Sequence, residues 1–394
     1  MKNNNRTLTK LAIICLSLTD CGTGATTAAL PTISAGLPGV PFSLIQWIAS
    51  VPVLMIGFAP TLCYAPLVRI MKKRSILYIG VILFMIGGLG PAWLNFNIYI
   101  ILVQRAILGL GIGILTPMGI DLIYDFYKGH EQRTMIGFSG ACIGLSGMLF
   151  TMIGGFLCQI DWTYTFYAYF AAVIFFAVAI AFLPEPEKRV EPAADDNGPK
   201  VKAKLPGSVF FYIAVTFLNG MLFYIAVTNT AYVLVQDQIA EPTQIAMMFN
   251  ALTASSILVG LFFGQMFKAL RYHVLTIALA LGGIGEYLCG TTYSITVFTV
   301  GLALVGITLG GTTSALWAKL GDLVHPSLVA LSVSLGISAM NLGEFFQPAI
   351  FNLFTVPGRQ PFMVGTAMAI VLVVASIVLD KVFPTKESSS ITAV

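Results

Sequence analysis

The chain has 394 residues, of which 57% are hydrophobic and 10% are charged, and its mean hydropathy is +0.88. A water-soluble domain does not need so much apolar surface, so the composition excludes a soluble enzyme or binding module and indicates a protein that lies in lipid. We interpret the formal net charge of +4 as a signal of membrane topology and not of nucleic-acid binding.

Stretches of about 20 mostly apolar residues follow one another along the chain and predict about twelve transmembrane helices. The first runs from Leu11 to Gly36 and does not resemble a cleavable signal peptide, so we expect it to stay in the mature protein. Residues 184–206 are rich in Pro, Glu, Asp and Lys and predict a flexible cytoplasmic linker. The expected fold is therefore an all-α membrane protein with two six-helix bundles, residues 1–183 and residues 207–394, the second with a short cytoplasmic tail.

Basic residues mark the predicted cytoplasmic side, because Lys and Arg near the ends of spans are retained in the cytoplasm. They cluster before the first span, after the second and fourth spans, after later spans of the second half, and at the C-terminal end: Lys2, Arg6, Lys10, Arg69, Lys72, Lys73, Arg74, Lys128, Arg133, Lys268, Arg271, Lys319, Lys381 and Lys386. Arg359 is the single basic residue in a predicted outside loop. The pattern predicts a multi-pass protein of the cell membrane with both termini in the cytoplasm.

A spacing repeats in the two halves of the chain. Gly109 and Asp125 have the same separation as Gly306 and Asp322. The repeat predicts two halves of similar structure, as in many transporters.

Four ionisable residues, Asp20, Arg105, Glu286 and Glu344, lie within the predicted spans, where each costs roughly 2.5 to 3.5 kcal/mol on insertion scales. Asp20 lies about ten residues into the first span, and Arg105 lies about eight residues into the fourth, so both are roughly 12 to 15 Å deep. We expect the two side chains to form a pair. The pair could couple transport to protons, or it could simply tie two helices together.

Other polar residues within the spans are candidates for a substrate site. Glu344, in the eleventh span, could be a second proton site or a substrate contact, or a packing residue that is protonated or hydrogen-bonded. The predicted substrate cavity is formed by neutral polar side chains, Asn219, Tyr224, Asn229, Gln265 and Gln347. Hydrogen bonds between helices would explain the same amides equally well. Glu286, nearer the outer end of the ninth span, is interpreted as structural.

The cysteines and histidines are not arranged for a metal site, a disulfide or a catalytic site. The six cysteines lie within or at the end of apolar spans without paired spacing, and the three histidines lie in predicted cytoplasmic connections. The sequence has no Gly-x-x-x-x-Gly-Lys-Ser/Thr loop for nucleotide phosphates. We therefore expect no metal, no cofactor, no ATP-driven transport and no enzymatic activity.

The fourth span resembles a known family. Residues 104–113, QRAILGLGIG, are similar to the arginine-and-glycine motif in the fourth span of the major facilitator superfamily, and the resemblance extends from Leu11 to Lys381. It implies the major facilitator fold, and it implicates Arg105 in proton coupling.

Residues 65–74, APLVRIMKKR, resemble the cytoplasmic gating motif of that superfamily. Arg69 stands at the usual aspartate position and Lys72 at the second glycine position, so a latch here would use other acids. The residues that the resemblance assigns to the gate are Arg69, Lys73, Arg74, Asp125, Glu131 and Arg133. Simple solvation is an equal alternative for Glu131.

Asp20, residues 29–33 (ALPTI) and residues 46–47 (QW) resemble the proton-coupled drug exporters within the superfamily. Exporters that act as antiporters usually carry Gly-Pro followed by paired glycines in the fifth span. This chain has the glycine pair, but Phe150 and Thr151 stand at the Gly-Pro positions, which favours uptake.

These observations together predict a monomeric secondary active transporter that works by alternating access coupled to protons, with a small organic, drug-like or amphipathic substrate and with lipid and protons as its other partners. Efflux is preferred, and a proton symporter for a nutrient or metabolite is the alternative. A non-transporting receptor is a further alternative, but the linker and tail are too short for a signalling domain.

Overall fold

The computed structural model describes residues 3–20, 22–184, 205–271, 273–325 and 328–382, and regular secondary structure in these ranges is helical throughout. Most of the predicted linker, and the tail beyond residue 382, lie outside the described residues. The prediction of an all-α membrane protein is confirmed.

The N-terminal half contains nine of the described α-helices, several of them short. They are α1 (Asn3–Ser17), α2 (Leu30–Gly36), α3 (Phe42–Ile45), α4 (Trp47–Ala59), α5 (Ala65–Ile70), α6 (Lys73–Leu89), α7 (Ile98–Phe126), α8 (Gly129–Leu157) and α9 (Phe170–Phe182). A π-helical turn at Pro60–Tyr64 joins α4 to α5, so α3 to α5 form one membrane span.

The C-terminal half contains six longer α-helices. They are α10 (Gly207–Gln236), α11 (Pro242–Leu270), α12 (His273–Thr291), α13 (Ile295–Asp322), α14 (Val329–Phe351) and α15 (Gln360–Val382).

Ten segments of the described chain are long and apolar enough to cross a membrane. The other two predicted spans are the first and the eleventh. The eleventh is α14, a 23-residue helix that contains Glu344 and Gln347. The described chain thus has ten candidate spans, and it has helices in the regions of the other two predicted spans.

The first span is interrupted near its middle and is not a single helix. Helix α1 ends at Ser17, a 3₁₀ turn follows at Gly22–Thr26, and α2 begins at Leu30. Glycine, threonine and aspartate are weak helix formers, and the Thr19 hydroxyl donates to the Leu16 carbonyl oxygen at 2.7 Å. This composition explains why the helix stops there.

Two clusters of buried hydrophobic side chains follow the two halves of the chain. One extends from Ala12 to Leu183 and also includes Tyr224. The other extends from Val209 to Leu372 and also includes Ala28. Each half therefore has its own core, and the division into two six-helix bundles stays a proposal.

Candidate functional site

A cavity of about 830 Å³ lies between the two halves, within the size range of sites that bind small organic molecules. Helices from both halves form its wall, and the principal lining residues are Thr23, Gly24, Thr27, Gly140, Gly147, Thr151, Phe223, Tyr224, Phe249, Thr253, Ser256, Thr313, Trp317, Met340 and Glu344. The cavity is the natural candidate for a binding site.

The two walls of this cavity differ in chemistry. Both halves contribute hydroxyl groups and glycines, but the aromatic rings, those of Phe223, Tyr224, Phe249 and Trp317, all come from the C-terminal half. Glu344 is the only carboxylate among the described lining residues, and none of these is Lys, Arg or His. Its side chain is 8% exposed. The arrangement offers flat apolar surfaces beside one acidic group.

Arg105 is fully buried on α7, and a proline explains one of its partners. Pro52 in α4 has no N–H, so the helix leaves the Ile48 carbonyl oxygen without its usual donor. Arg105 Nε donates to that oxygen at 2.9 Å. The other guanidinium nitrogens donate to the Tyr169 hydroxyl at 2.5 Å and to the Thr26 hydroxyl at 3.3 Å. All three partners are neutral.

The expected pair of Asp20 and Arg105 is not formed. Asp20 is half-buried in the turn after α1 and interacts with the Thr116 hydroxyl on α7. Thr116 and Arg105 are eleven residues apart on the same helix, which is roughly 16 Å at 1.5 Å per residue. The break in the first span carries Asp20 away from the depth of Arg105, and counting residues from Leu11 could not have revealed it.

Only Tyr224, of the five residues predicted to form the substrate cavity, lies on the cavity wall. Gln265 is exposed on α11, and Asn219 is buried with both amide atoms unpaired. Asn229 and Gln347 lie at the predicted outer end, where the side chains of Asn229 and Gln46 are 3.2 Å apart and the Thr228 hydroxyl donates to Gln347 Oε1 at 2.8 Å.

These placements correct four of the five expectations. The alternative reading, hydrogen bonding between helices, describes Asn229 and Gln347 better.

The predicted gate residues form contacts within the N-terminal half. Lys73 Nζ lies 2.5 Å from a carboxylate oxygen of Asp125 and 2.5 Å from one of Asp121, and the Tyr64 hydroxyl donates to Asp121 at 2.7 Å. Glu131 pairs with Lys10 at 2.8 Å. Sequence reasoning missed Asp121, although its spacing from Asp125 places both on one face of α7.

The remaining gate candidates do not take part in these ion pairs with Asp121, Asp125 or Glu131 in the described part of the chain. Arg69 is exposed at the end of α5. Arg74 donates to the Tyr78 hydroxyl at 3.2 Å and to the Ile180 carbonyl oxygen at 3.3 Å. The side chain of Arg133 lies outside the described part of the chain.

A buried ion pair in the C-terminal half was also missed. Lys319 on α13 is 2% exposed, and its Nζ lies 2.7 Å from Asp380 Oδ1 on α15. The Tyr212 hydroxyl donates to the same oxygen at 3.2 Å. In sequence, Lys319 served only as a marker of sidedness, and its distance from Asp380 along the chain gave no sign of a pair.

Comparison with known families identifies the fold. The family model described as Major Facilitator Superfamily matches residues 12–240, which is more than half of the chain. The protein belongs to the Major Facilitator Superfamily. Members of this superfamily are transporters and not enzymes, as the sequence predicted.

Two relatives of this superfamily member are named as drug resistance or drug transport proteins. The chain is 22% identical over 258 residues to the multidrug transporter protein MdtP of Bacillus subtilis (strain 168), covering 62% of this chain and 47% of MdtP. It is 26% identical over 147 residues to the quinolone resistance protein NorA of Staphylococcus aureus (strain MRSA252), covering 37% of this chain and 38% of NorA. The matched region thus spans less than half the length of these relatives.

A solved structure of a D-xylose-proton symporter has the same fold. It superposes with a TM-score of 0.76 at 15% sequence identity, and the match covers 96% of this chain and 97% of that one.

The fifth span of this superfamily member departs from the antiporter pattern in a specific way. Helix α8 is unbroken at Phe150 and Thr151. The Thr151 hydroxyl donates to the Gly24 carbonyl oxygen at 3.2 Å, and Phe150 packs against the ring of Tyr169. Thr151 therefore binds the interrupted part of the first span at the position where an antiporter usually has proline.

Proposed function

We propose that this superfamily member is a proton-coupled transporter that moves small amphipathic organic compounds across the cytoplasmic membrane by alternating access, with efflux preferred. The observation that carries the proposal is the cavity between the halves, with its aromatic rings and the one carboxylate among its described lining residues. In this proposal the protein acts as a monomer, and both termini lie in the cytoplasm.

The wall of the cavity favours neutral or cationic compounds over anions. Phe223, Phe249 and Trp317 offer aromatic faces to an apolar ring system, and such faces also attract a ligand cation. Glu344 offers a negative charge when it is ionised. A substrate anion would find no basic side chain among the described lining residues.

Coupling then follows from competition at Glu344. A carboxylate at membrane depth is costly unless it is protonated or paired with a cation. A proton and a cationic substrate can each satisfy it, but not both at once. Exchange of the two between the sides of the membrane is antiport.

Asp20 and Arg105 have separate roles in this mechanism. Asp20 precedes Thr23, a residue of the cavity wall, by three positions in the sequence, and it is a second candidate proton site. Arg105 binds α4 to the first and sixth spans through neutral groups. We therefore propose that Arg105 maintains the packing of the N-terminal half and does not form the coupling pair.

The named relatives support export, because one is called a multidrug transporter and the other a quinolone resistance protein. Uptake by proton symport is the alternative. Thr151 in place of the antiporter proline favours it.

Everted membrane vesicles with an imposed pH gradient separate these functions. With an acidic interior, an antiporter accumulates a fluorescent lipophilic cation inside the vesicle, whereas a symporter accelerates loss of the dye from preloaded vesicles. Dye movement that is independent of the gradient would contradict proton coupling altogether.

A matched pair of variants locates the coupling group. Glu344→Gln removes the carboxylate from the cavity wall and is expected to abolish gradient-driven accumulation. Glu286→Gln removes a fully buried carboxyl that does not line the cavity, and it should leave accumulation within about twofold of the unmodified protein. Equal loss in both variants would refute the assignment to Glu344.

A further inference from the structure

Gln46 lies where the two halves meet at the predicted outer end of the cavity. It is the residue between α3 and α4, and its side chain is 1% exposed. Its amide nitrogen donates to the Thr228 carbonyl oxygen at 3.3 Å and to Asn229 Oδ1 at 3.2 Å. Its amide oxygen accepts from Asn352 Nδ2 at 2.9 Å. One side chain of the N-terminal half thus holds both α10 and the end of α14.

The C-terminal half presents these groups in a fixed arrangement. Asn229 Nδ2 donates to the Ile225 carbonyl oxygen at 3.2 Å and to the Thr228 hydroxyl oxygen at 3.0 Å, and that hydroxyl donates to Gln347 Oε1 at 2.8 Å. Thr228, Asn229 and Gln347 are each 1% exposed or less. Because buried amides are costly when unpaired, separation of the halves here requires that water replace Gln46.

This network lies one helical turn from the cavity wall. On α10, Tyr224 lines the cavity and Thr228 follows four residues later; on α14, Glu344 lines the cavity and Gln347 follows three residues later. Residues at these spacings are neighbours on one face of a helix. A ligand or proton that moves Tyr224 or Glu344 therefore acts on the network through a single turn of each helix.

We propose that Gln46 is a positioning residue whose hydrogen bonds must break before the outer end of the cavity opens, so that it sets the balance between inward-facing and outward-facing states. The inference rests on alternating access, as proposed above. Hydrogen bonds between membrane helices are individually weak, and the loss of three of ordinary strength shifts a two-state equilibrium by about 20-fold.

Distance measurements between spin labels on the two halves test this directly. Phe96 and Leu353 are 79% and 83% exposed, one in each half at the predicted outer end, and cysteines there carry the labels in a background without the native cysteines. Gln46→Ala is expected to raise the ratio of long to short label distances by about 20-fold. Asn352→Ala, which removes one bond at the end of α14, should raise it about threefold.

A matched control removes a buried hydrogen bond that does not join the halves. The hydroxyls of Ser376 and Thr276 are 2.9 Å apart within the C-terminal half, and Ser376→Ala should leave the label distances unchanged. If Gln46→Ala fails to fold, Asn352→Ala decides. The proposal would be overturned by unchanged label distances in the folded Gln46 variant, or in Asn352→Ala if the Gln46 variant does not fold. An equal shift of the distances in the Ser376 control would also overturn it.

This readout does not depend on the cargo. A Gln46 variant that shifts the distances, in a protein that moves no dye under any pH gradient, would support the role of Gln46 and contradict the proposed function. Gradient-driven dye movement together with unchanged label distances in the Gln46 variant would support the proposed function and contradict the role of Gln46.

Discussion

The separation of Asp20 from Arg105 gives a quantitative prediction, because the free energies of unfolding of single and double variants report whether two residues interact. Arg105→Gln removes the charged donor to the Ile48 carbonyl oxygen, the Tyr169 hydroxyl and the Thr26 hydroxyl. Hydrogen bonds between membrane helices contribute about 0.6 kcal/mol on average, and those to charged groups about 1.5 to 3 kcal/mol. We therefore expect a loss of about 2 to 5 kcal/mol.

Coupling energies from double-mutant cycles distinguish an Asp20–Arg105 pair from the observed contact between Arg105 and Tyr169. Asp20→Asn and Arg105→Gln should be additive within about 0.5 kcal/mol, because residues more than about 10 Å apart without shared partners act independently. Tyr169→Phe and Arg105→Gln should instead show a coupling of about 1 kcal/mol, since they remove the same hydrogen bond. Unfolding in mixed detergent micelles with increasing sodium dodecyl sulfate measures the free energies of the unmodified protein, the three single variants and the two double variants. A coupling above about 1 kcal/mol between Asp20 and Arg105 would refute the separation.

Three further perturbations test other contacts. Lys319→Met leaves the Asp380 carboxylate without its buried partner and should cost about 3 to 5 kcal/mol of unfolding free energy; replacement of both residues by apolar ones should recover most of it, and failure to recover would argue against a direct pair. Lys73→Gln should lower unfolding free energy by about 1 to 2 kcal/mol, whereas the exposed Arg69→Gln should change it by less than about 0.5 kcal/mol; equal effects would contradict a latch at Lys73. Gly140 lines the cavity, and a Cβ there meets no atom within 4 Å, so Gly140→Leu should keep its melting temperature but weaken dye binding several-fold; unchanged dye binding would exclude this part of the cavity.

The spans were predictable from sequence because apolar length and hydropathy are local properties. The exception was the first span, where the run from Leu11 to Gly36 is apolar enough to suggest one helix. Low helix propensity explains why the structure has an interrupted span instead: glycines and threonines follow Ser17, where α1 ends, and a 3₁₀ turn forms there. Membrane depth read from residue counts consequently failed for Asp20.

The site was less predictable, because a helix has several faces and sequence alone does not say which face meets the cavity. Gln265 and Tyr224 are both polar residues within spans, yet the first is exposed on α11 and the second lines the cavity. One partner of Arg105 is the Ile48 carbonyl oxygen on α4, which has no helical donor because Pro52, four residues later, lacks an N–H. Such contacts need the packed structure.

The ion pairs between residues far apart in the sequence were also only partly predictable. Lys73 was assigned to a gate from its resemblance to a motif, and the structure places it against Asp121 as well as Asp125. The spacing of those acids on α7 was a usable signal. Lys319 and Asp380 gave no such signal, because no motif and no shared helix connects them.

Proton release on substrate binding is the measurement that tests exchange at Glu344 most directly. In weakly buffered detergent solution with a pH indicator, binding of a lipophilic cation should release protons from the unmodified protein and from Glu286→Gln, but not from Glu344→Gln. Proton release of equal size from the Glu344 variant, or cation binding without any proton release from the unmodified protein, would contradict the proposed competition.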